Sequence, residues 1–213
     1  YYVERGIDRR ASKVIYDRAS SAFAQSVAEE YEWERIFTNV QWFHITRITP
    51  ALGKNAEIIA TTACREAKKH GAIVSCDVNY RSMLWKKEHA KETIEKLFAY
   101  TDVCIVNENQ AYELFGVKGR EDISDFADKY AFSHVAMTYR RTKDAMHNKI
   151  WSDLYTGGGF YKSREYEMEM ADRIGGGDAY AAGLIYALGH SYEIQHAVEF
   201  AEAASCLKHS IIE

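Results

Sequence analysis

No apolar stretch in this 213-residue chain approaches the roughly 20 residues that a membrane-crossing helix needs. The first residues also lack the layout of a secretory leader. A membrane partner is therefore not expected. Basic excess is missing too: 27 Lys and Arg face 31 Asp and Glu, a formal charge of -4 with no cationic stripe. That balance argues against nucleic acid as the main partner. Cysteines are few (Cys64, Cys76, Cys104 and Cys206), and none falls in a Cys-x-x-Cys spacing. They read as small buried hydrophobes in a reducing, cytoplasmic setting, not as zinc ligands or a disulfide frame. Internal repeats and low-complexity segments are absent. So is an initiator methionine. The chain opens mid-pattern at Tyr1-Tyr2-Val3-Glu4 and stops at Ser210-Ile211-Ile212-Glu213, so a piece of a longer protein is expected. Neither the Gly-x-x-x-x-Gly-Lys-Ser/Thr phosphate loop nor the Gly-x-Gly-x-x-Gly dinucleotide fingerprint occurs.

What remains is ordinary globular composition, with 47% hydrophobic and 27% charged residues, enough for one large domain or one domain with a small appendage. Alternation over Ser12 to Asp17 predicts a strand, with Tyr2-Val3-Glu4 as its hairpin partner. Apolar runs predict strands at Val40 to Thr46, Ala72 to Val78, Asp102 to Val106, His134 to Thr138 and Ile150 to Tyr155. Pro50 breaks the chain after the first of these, and Gly157-Gly158-Gly159 forms a hairpin turn after the last. Helices are predicted over Asn55 to His70, Lys87 to Tyr100, Glu108 to Phe115, Ile123 to Tyr130, Asp178 to Leu188 and Glu193 to Lys208. In the first of them Ile58, Ile59, Thr62, Ala63 and Ala67 line one face. Strands alternating with helices imply an α/β fold with parallel βαβ units. Ligands in such sheets bind beyond the carboxyl ends of the strands. Polar clusters stand at four such ends: Thr46-Arg47-Ile48, Asp77 to Arg81, Val106-Asn107-Glu108 and Thr138-Tyr139-Arg140.

The most informative stretch is Asp172-Arg173-Ile174-Gly175-Gly176-Gly177-Asp178, which runs into the apolar helical pattern of Ala179-Tyr180-Ala181-Ala182-Gly183-Leu184. Three glycines let successive N–H groups converge, and the helix N-terminus adds free N–H groups and partial positive charge. Phosphate is the usual tenant of such a site. A capped turn, with Asp178 as N-cap, is the bland alternative.

Asp172-Arg173-Ile174-Gly175-Gly176-Gly177-Asp178-Ala179-Tyr180-Ala181-Ala182-Gly183 resembles the C-terminal signature of the PfkB/ribokinase-like carbohydrate kinases, usually DxxGAGD. Further segments resemble the 2-keto-3-deoxygluconate kinases within that family: Val14 to Ala19, Phe43 to Leu52, Asp77-Val78-Asn79-Tyr80-Arg81 with Leu84-Trp85, and Ala203 to His209. The resemblance implies a ribokinase-like three-layer αβα sandwich, residues 21–213, with residues 1–20 as part of a small β lid and with the N-terminal part of the family missing. It implies transfer of the ATP γ-phosphate, with Mg2+, to the 6-hydroxyl of 2-keto-3-deoxygluconate. Asp178 would be the general base, and Gly175, Gly176 and Gly177 the anion hole. Arg81 and Arg18 would fork the substrate carboxylate, with Tyr16, Tyr2 and Ile48 beside it. The Tyr16-x-Arg18 spacing places both on one face of a strand. Asn79, Asn107 and Arg140 would lie near the nucleotide phosphates. In the family the lid often pairs two subunits, so a homo-oligomer is among the expectations.

Departures from the family pattern are specific. Arg47 replaces a glycine, where a large cation would crowd the substrate or supply another anion contact. Gln110 replaces the acid of Asn-x-x-Glu, and Gly176 replaces alanine. A neutral-sugar kinase and a non-catalytic binding module remain as alternatives. Asp172 reads as a loop cap or an aid to metal or water. His44 reads as a hydrogen-bonded core histidine, and Trp33, Trp42 and Trp85 as packing.

Overall fold

The computed structural model describes residues 2–4, 6, 10, 13–18, 20–144 and 146–212. The chain divides into two units, residues 18–135 and residues 1–17 with 136–213. At the start, Tyr2–Glu4 (β1) and Lys13–Ile15 (β2) pair antiparallel, Tyr2 opposite Ile15 and Glu4 opposite Lys13. The expected hairpin is present, but its second strand ends at Ile15. Ser12 lies outside the described residues, and the strand does not extend to Tyr16 or Asp17. Tyr16 and Arg18 therefore follow the strand and do not share a strand face.

The unit 18–135 begins with two short helices, Ala22–Gln25 (α1) and Trp33–Phe37 (α2). The hydroxyl of Ser21 caps the first by accepting from Ala24 N at 3.2 Å. Then come Trp42–Thr46 (β3), Lys54–Lys69 (α3), Ile73–Asp77 (β4), Lys87–Phe98 (α4), Val103–Asn107 (β5), Glu108–Gln110 (α5) and Arg120–Tyr130 (α6). A π turn over Ala111–Phe115 extends α5 and ends at Gly116, whose φ of 77° is the left-handed stop that glycine allows. The strands β3, β4 and β5 are parallel, with His44 opposite Ser75 and Cys76 opposite Cys104. Helices α3 and α4 are the crossovers this arrangement requires. Small residues bring α3 close to the strands: Ala56, Ile59, Ala60, Ala63, Cys64 and Ala67 are buried. The buried stripe is rotated from the expected one, and Ile58 points to solvent. Phe98, Phe115, Phe126, Tyr130 and Phe132 close the core with ring centroids 4.8–6.2 Å apart.

Strand His134–Thr142 (β6) starts in this unit and runs into the other. It continues four residues past the expected end. There follow His147–Thr156 (β7), Gly159–Lys162 (β8) and Tyr166–Glu169 (β9), with β7 antiparallel to both β8 and β9. The predicted hairpin turn is present. The two strands after it are too short and too charged to show as apolar runs. Two helices close the chain, Gly176–Gly189 (α7) and Ile194–His209 (α8). They touch closely at Gly183, where a Cβ would lie 3.0 Å from Cα of Ala201. Parallel and antiparallel strands with helices make a mixed α/β fold. Among the described residues no helix is long and apolar enough to cross a membrane.

Candidate active site

The glycine run forms the first turn of α7. Gly175 is the N-cap, with φ 76°, and Gly176 is the first helical residue. The amide of Ala179 already donates to the carbonyl of Gly175 at 2.8 Å. The amides of Gly176, Gly177 and Asp178 precede it and have no helical carbonyl to reach. Asp178 is therefore the third residue of the helix and not its N-cap; its side chain is exposed in the first turn. Gly177 is exposed as well, and among the described residues nothing lies within 4 Å of a Cβ placed on it. Its neighbours differ: a Cβ on Gly175 would lie 3.0 Å from Cε of Lys208, and one on Gly176 would overlap the ring of His209. Asp172 orders the approach to the helix by accepting from Ile174 N at 3.0 Å. That is the loop-capping role.

Arg140, near the end of β6, extends Nη2 to Nε2 of His209 at 3.3 Å. Burial is the main cause that lowers its pKa, with a contribution from Arg173, while Glu202 opposes. Glu202 on α8 is buried at 2% exposure. Burial pushes its carboxyl up to about 7, against the pull of Ser152 and Arg140. The phenol of Tyr180 is buried beside it and is also pushed up, chiefly by burial and next by Glu202. Tyr2, 69% exposed, and half-buried Tyr16 belong to this same unit.

The remaining predicted residues fall in the unit 18–135. Asn79, just past β4, has φ 29°, a left-handed value that asparagine tolerates. Its amide donates to Oδ1 of Asp77 at 3.2 Å and its Nδ2 to Oγ1 of Thr46 at 3.3 Å. Two of the strand-end clusters thus meet. Asn107 caps α5, accepting from Gln110 N at 3.0 Å. Gln110 in turn donates from Nε2 to the carbonyl of Tyr80 at 3.1 Å. A glutamate there would have no proton to give, so the amide fits this position. Arg81 is exposed, while Arg18 and Ile48 are half-buried.

Arg47 corrects an expectation. It does not reach toward a ligand; it is 0% exposed. Its guanidinium lies 5.5 Å from the Phe98 ring centroid, and Nη2 donates to Oγ1 of Thr101 at 3.3 Å. Cys64 and Cys76 lie within its field, but burial dominates and pushes their thiols up to about 11 and about 12. Three of the four cysteines are the buried hydrophobes expected; Cys206 is only half-buried. His44 bonds Ser75 Oγ at 2.8 Å as expected, but it is exposed and not in the core. The sequence reading missed the roles of Arg47, Glu202 and the His209 ring. Only Glu202 left a signal, an acid on the helix face of Ala197, Val198, Ala201 and Ser205.

Residues 1–210 match the sequence model of the pfkB family carbohydrate kinases. A 2-dehydro-3-deoxygalactonokinase of Haloferax volcanii is 28% identical over 99% of this chain and 64% of its own. The chain therefore spans just under two thirds of that relative. The crystal structure of 2-dehydro-3-deoxygluconokinase from Thermotoga maritima superposes with a TM-score of 0.95 at 39% identity, covering 99% of this chain and 67% of that one. At 16% identity, a putative ribokinase II of E. coli in complex with ATP and Mg2+ shares the fold, with a TM-score of 0.80 over 94% of this chain and 62% of its own. The ribokinase-like fold expected from the glycine signature is thus present, and the chain belongs to the PfkB family of carbohydrate kinases.

Proposed function

We propose that this chain is part of an ATP-dependent kinase that phosphorylates 2-keto-3-deoxygluconate on its 6-hydroxyl, giving 2-keto-3-deoxy-6-phosphogluconate. The observation that carries the reading is the first turn of α7. Three N–H groups without helical acceptors stand beside an exposed carboxylate, at a glycine with open space over it. The names of the Thermotoga and Haloferax relatives support a keto-deoxy sugar acid as substrate.

In this reading the substrate hydroxyl gives its proton to Asp178 as its oxygen attacks the γ-phosphorus, and the bond from that phosphorus to the bridging oxygen breaks, so that ADP leaves. The amides of Gly176, Gly177 and Asp178 would hold the phosphoryl oxygens, and the helix dipole favours the charge that develops there. Phosphoryl transfer needs this positioning and charge stabilisation more than covalent help. Mg2+ enters with the nucleotide, since magnesium is held largely through substrate phosphates. Among the described residues no trio of His, Cys, Asp or Glu makes a separate cage. Arg18 and Arg81 are assigned to the carboxylate, a pairing that arginine's fork suits. Tyr2, Tyr16 and Ile48 are assigned to the rest of the sugar, and Asn79, Asn107 and Arg140 to the nucleotide phosphates. Residues 1–20 are read as lid, as a contact between two copies in a homo-oligomer, and residues 21–213 as core. The setting is cytoplasmic, where four free cysteines would stay reduced.

The test is ADP release by the full-length protein with 2-keto-3-deoxygluconate, its galactonate-derived epimer, fructose and ribose. Asp178→Asn is expected to cost about 10²-fold or more in kcat. Arg81→Ala is expected to raise KM for the acids and leave a neutral ketose unaffected. Turnover restricted to neutral sugars would overturn the substrate, and undiminished activity in Asp178→Asn would overturn its role. The epimer is the second reading, favoured by the name of the Haloferax relative.

A further inference from the structure

We propose that His209 is a positioning residue that shapes the phosphoryl-transfer loop and forces glycine at position 176, an inference that rests on the kinase reading above. His209 ends α8 and is 1% exposed. It grips the approach to α7 three times. Its carbonyl accepts from the amides of Ala171 at 2.9 Å and Asp172 at 3.2 Å. Its Nδ1 lies 2.9 Å from the carbonyl of Asp172. A carbonyl can only accept, so Nδ1 carries the proton and Nε2 keeps its lone pair. Arg140 Nη2 donates to that lone pair at 3.3 Å.

The surroundings hold the ring in this state. Burial lowers its pKa first, and the cations Arg140, Lys208 and Arg173 lower it further; only the bond to Asp172 works the other way. A neutral ring of fixed tautomer is thus pinned at both nitrogens.

A pinned ring cannot step aside. A Cβ on Gly176 would overlap Cε1 and Nε2 of that ring. Neither atom is the loose end of a flexible chain. Gly175 faces the same wall through Lys208, whereas a Cβ on Gly177 would meet nothing within 4 Å among the described residues. The glycines therefore serve two purposes: Gly175 and Gly176 fit against the end of α8, and Gly177 leaves its open side clear. The alanine usual in the family signature is excluded at 176 by the residue at 209, 33 positions later in the chain.

A four-protein cycle in the full-length chain tests this: wild type, Gly176→Ala, His209→Ala and the double variant, each measured for kcat, KM and melting temperature. Gly176→Ala is expected to lose about 10²-fold in kcat, the scale of a displacement near 1 Å at a catalytic centre. His209→Ala is expected to lose about 10-fold in kcat with the sugar KM unchanged, as for a contact felt in the transition state. The double variant is expected to exceed Gly176→Ala by about 5-fold or more in kcat, because removing the ring makes room for the methyl. A double variant no better than Gly176→Ala overturns the proposal. So does His209→Ala with wild-type kcat. An inactive wild type overturns the kinase reading itself, which separates that failure from failure of the clamp.

Discussion

Arg47 rests its guanidinium against the ring of Phe98, 5.5 Å from the centroid, and donates to the Thr101 hydroxyl at 3.3 Å. Among the described residues its Nε and Nη1 are buried without hydrogen-bond partners, and no carboxylate pairs with it. A permanent cation in such surroundings costs desolvation that neutral acceptors and one aromatic face do not return. Arg47→Met is of similar volume and has no polar hydrogen. It is expected to raise stability by on the order of 1–4 kcal/mol, the upper range found when buried ion pairs give way to well-packed apolar residues. Chemical denaturation of the two proteins checks this. A loss of stability in Arg47→Met would mean that the guanidinium makes a stabilising contribution here.

Asn107 has two candidate roles that one substitution separates. Its side chain caps α5 through Gln110 N, and it is proposed to face nucleotide phosphate. Aspartate caps a helix as well as asparagine does, so Asn107→Asp should leave the melting temperature nearly unchanged. A new carboxylate beside a phosphate repels it, so the KM for ATP should rise by about 10-fold, equivalent to 1.4 kcal/mol. Asn107→Ala should instead lose about 1 kcal/mol of stability with the cap. An unchanged KM in Asn107→Asp would leave Asn107 as a cap alone.

Those two residues also mark how far the chain can be read without coordinates. Asn107 follows a buried apolar run and precedes a helical one, so local chemistry announces its position. The same holds for the helix over residues 54–69 and for the glycines before Asp178, where period and backbone freedom are written in neighbouring residues. Arg47 is different. A charge after a strand reads as surface, and among the groups around it are Phe98 and Thr101, more than fifty residues on. The packing of His209 on Gly176 is hidden for the same reason, since contact across 33 residues leaves no local periodicity. The strands β8 and β9 escaped because Lys162, Glu167 and Glu169 interrupt their four-residue patterns. The Tyr16-x-Arg18 alternation misled in the opposite sense: it has the period of a strand, but the ladder ends at Ile15.

Glu202 makes stability depend on pH in an unusual direction. Burial on α8 raises its pKa from 4.5 to about 7, with Glu199 adding to the rise and Ser152 and Arg140 opposing it. Its native pKa lies above its unfolded one, so the folded chain holds the extra proton between pH 4.5 and 7. The stabilisation from this group is therefore full below pH 4.5 and is lost as pH rises through 7, the reverse of a salt-bridged carboxylate. One pKa unit is worth about 1.4 kcal/mol, so the loss across the window is on the order of 3 kcal/mol. Glu202→Gln is nearly isosteric with the protonated acid and cannot ionise. It should match the wild type near pH 4 and exceed it by on the order of 3 kcal/mol at pH 8. Denaturant midpoints of both proteins at the two pH values measure the difference, and the slope of each transition shows whether the denatured states are comparable. Equal stability gaps at both pH values would show that Glu202 is ionised throughout. Buried beside Tyr180, it would then draw enough from Arg140 to offset its desolvation.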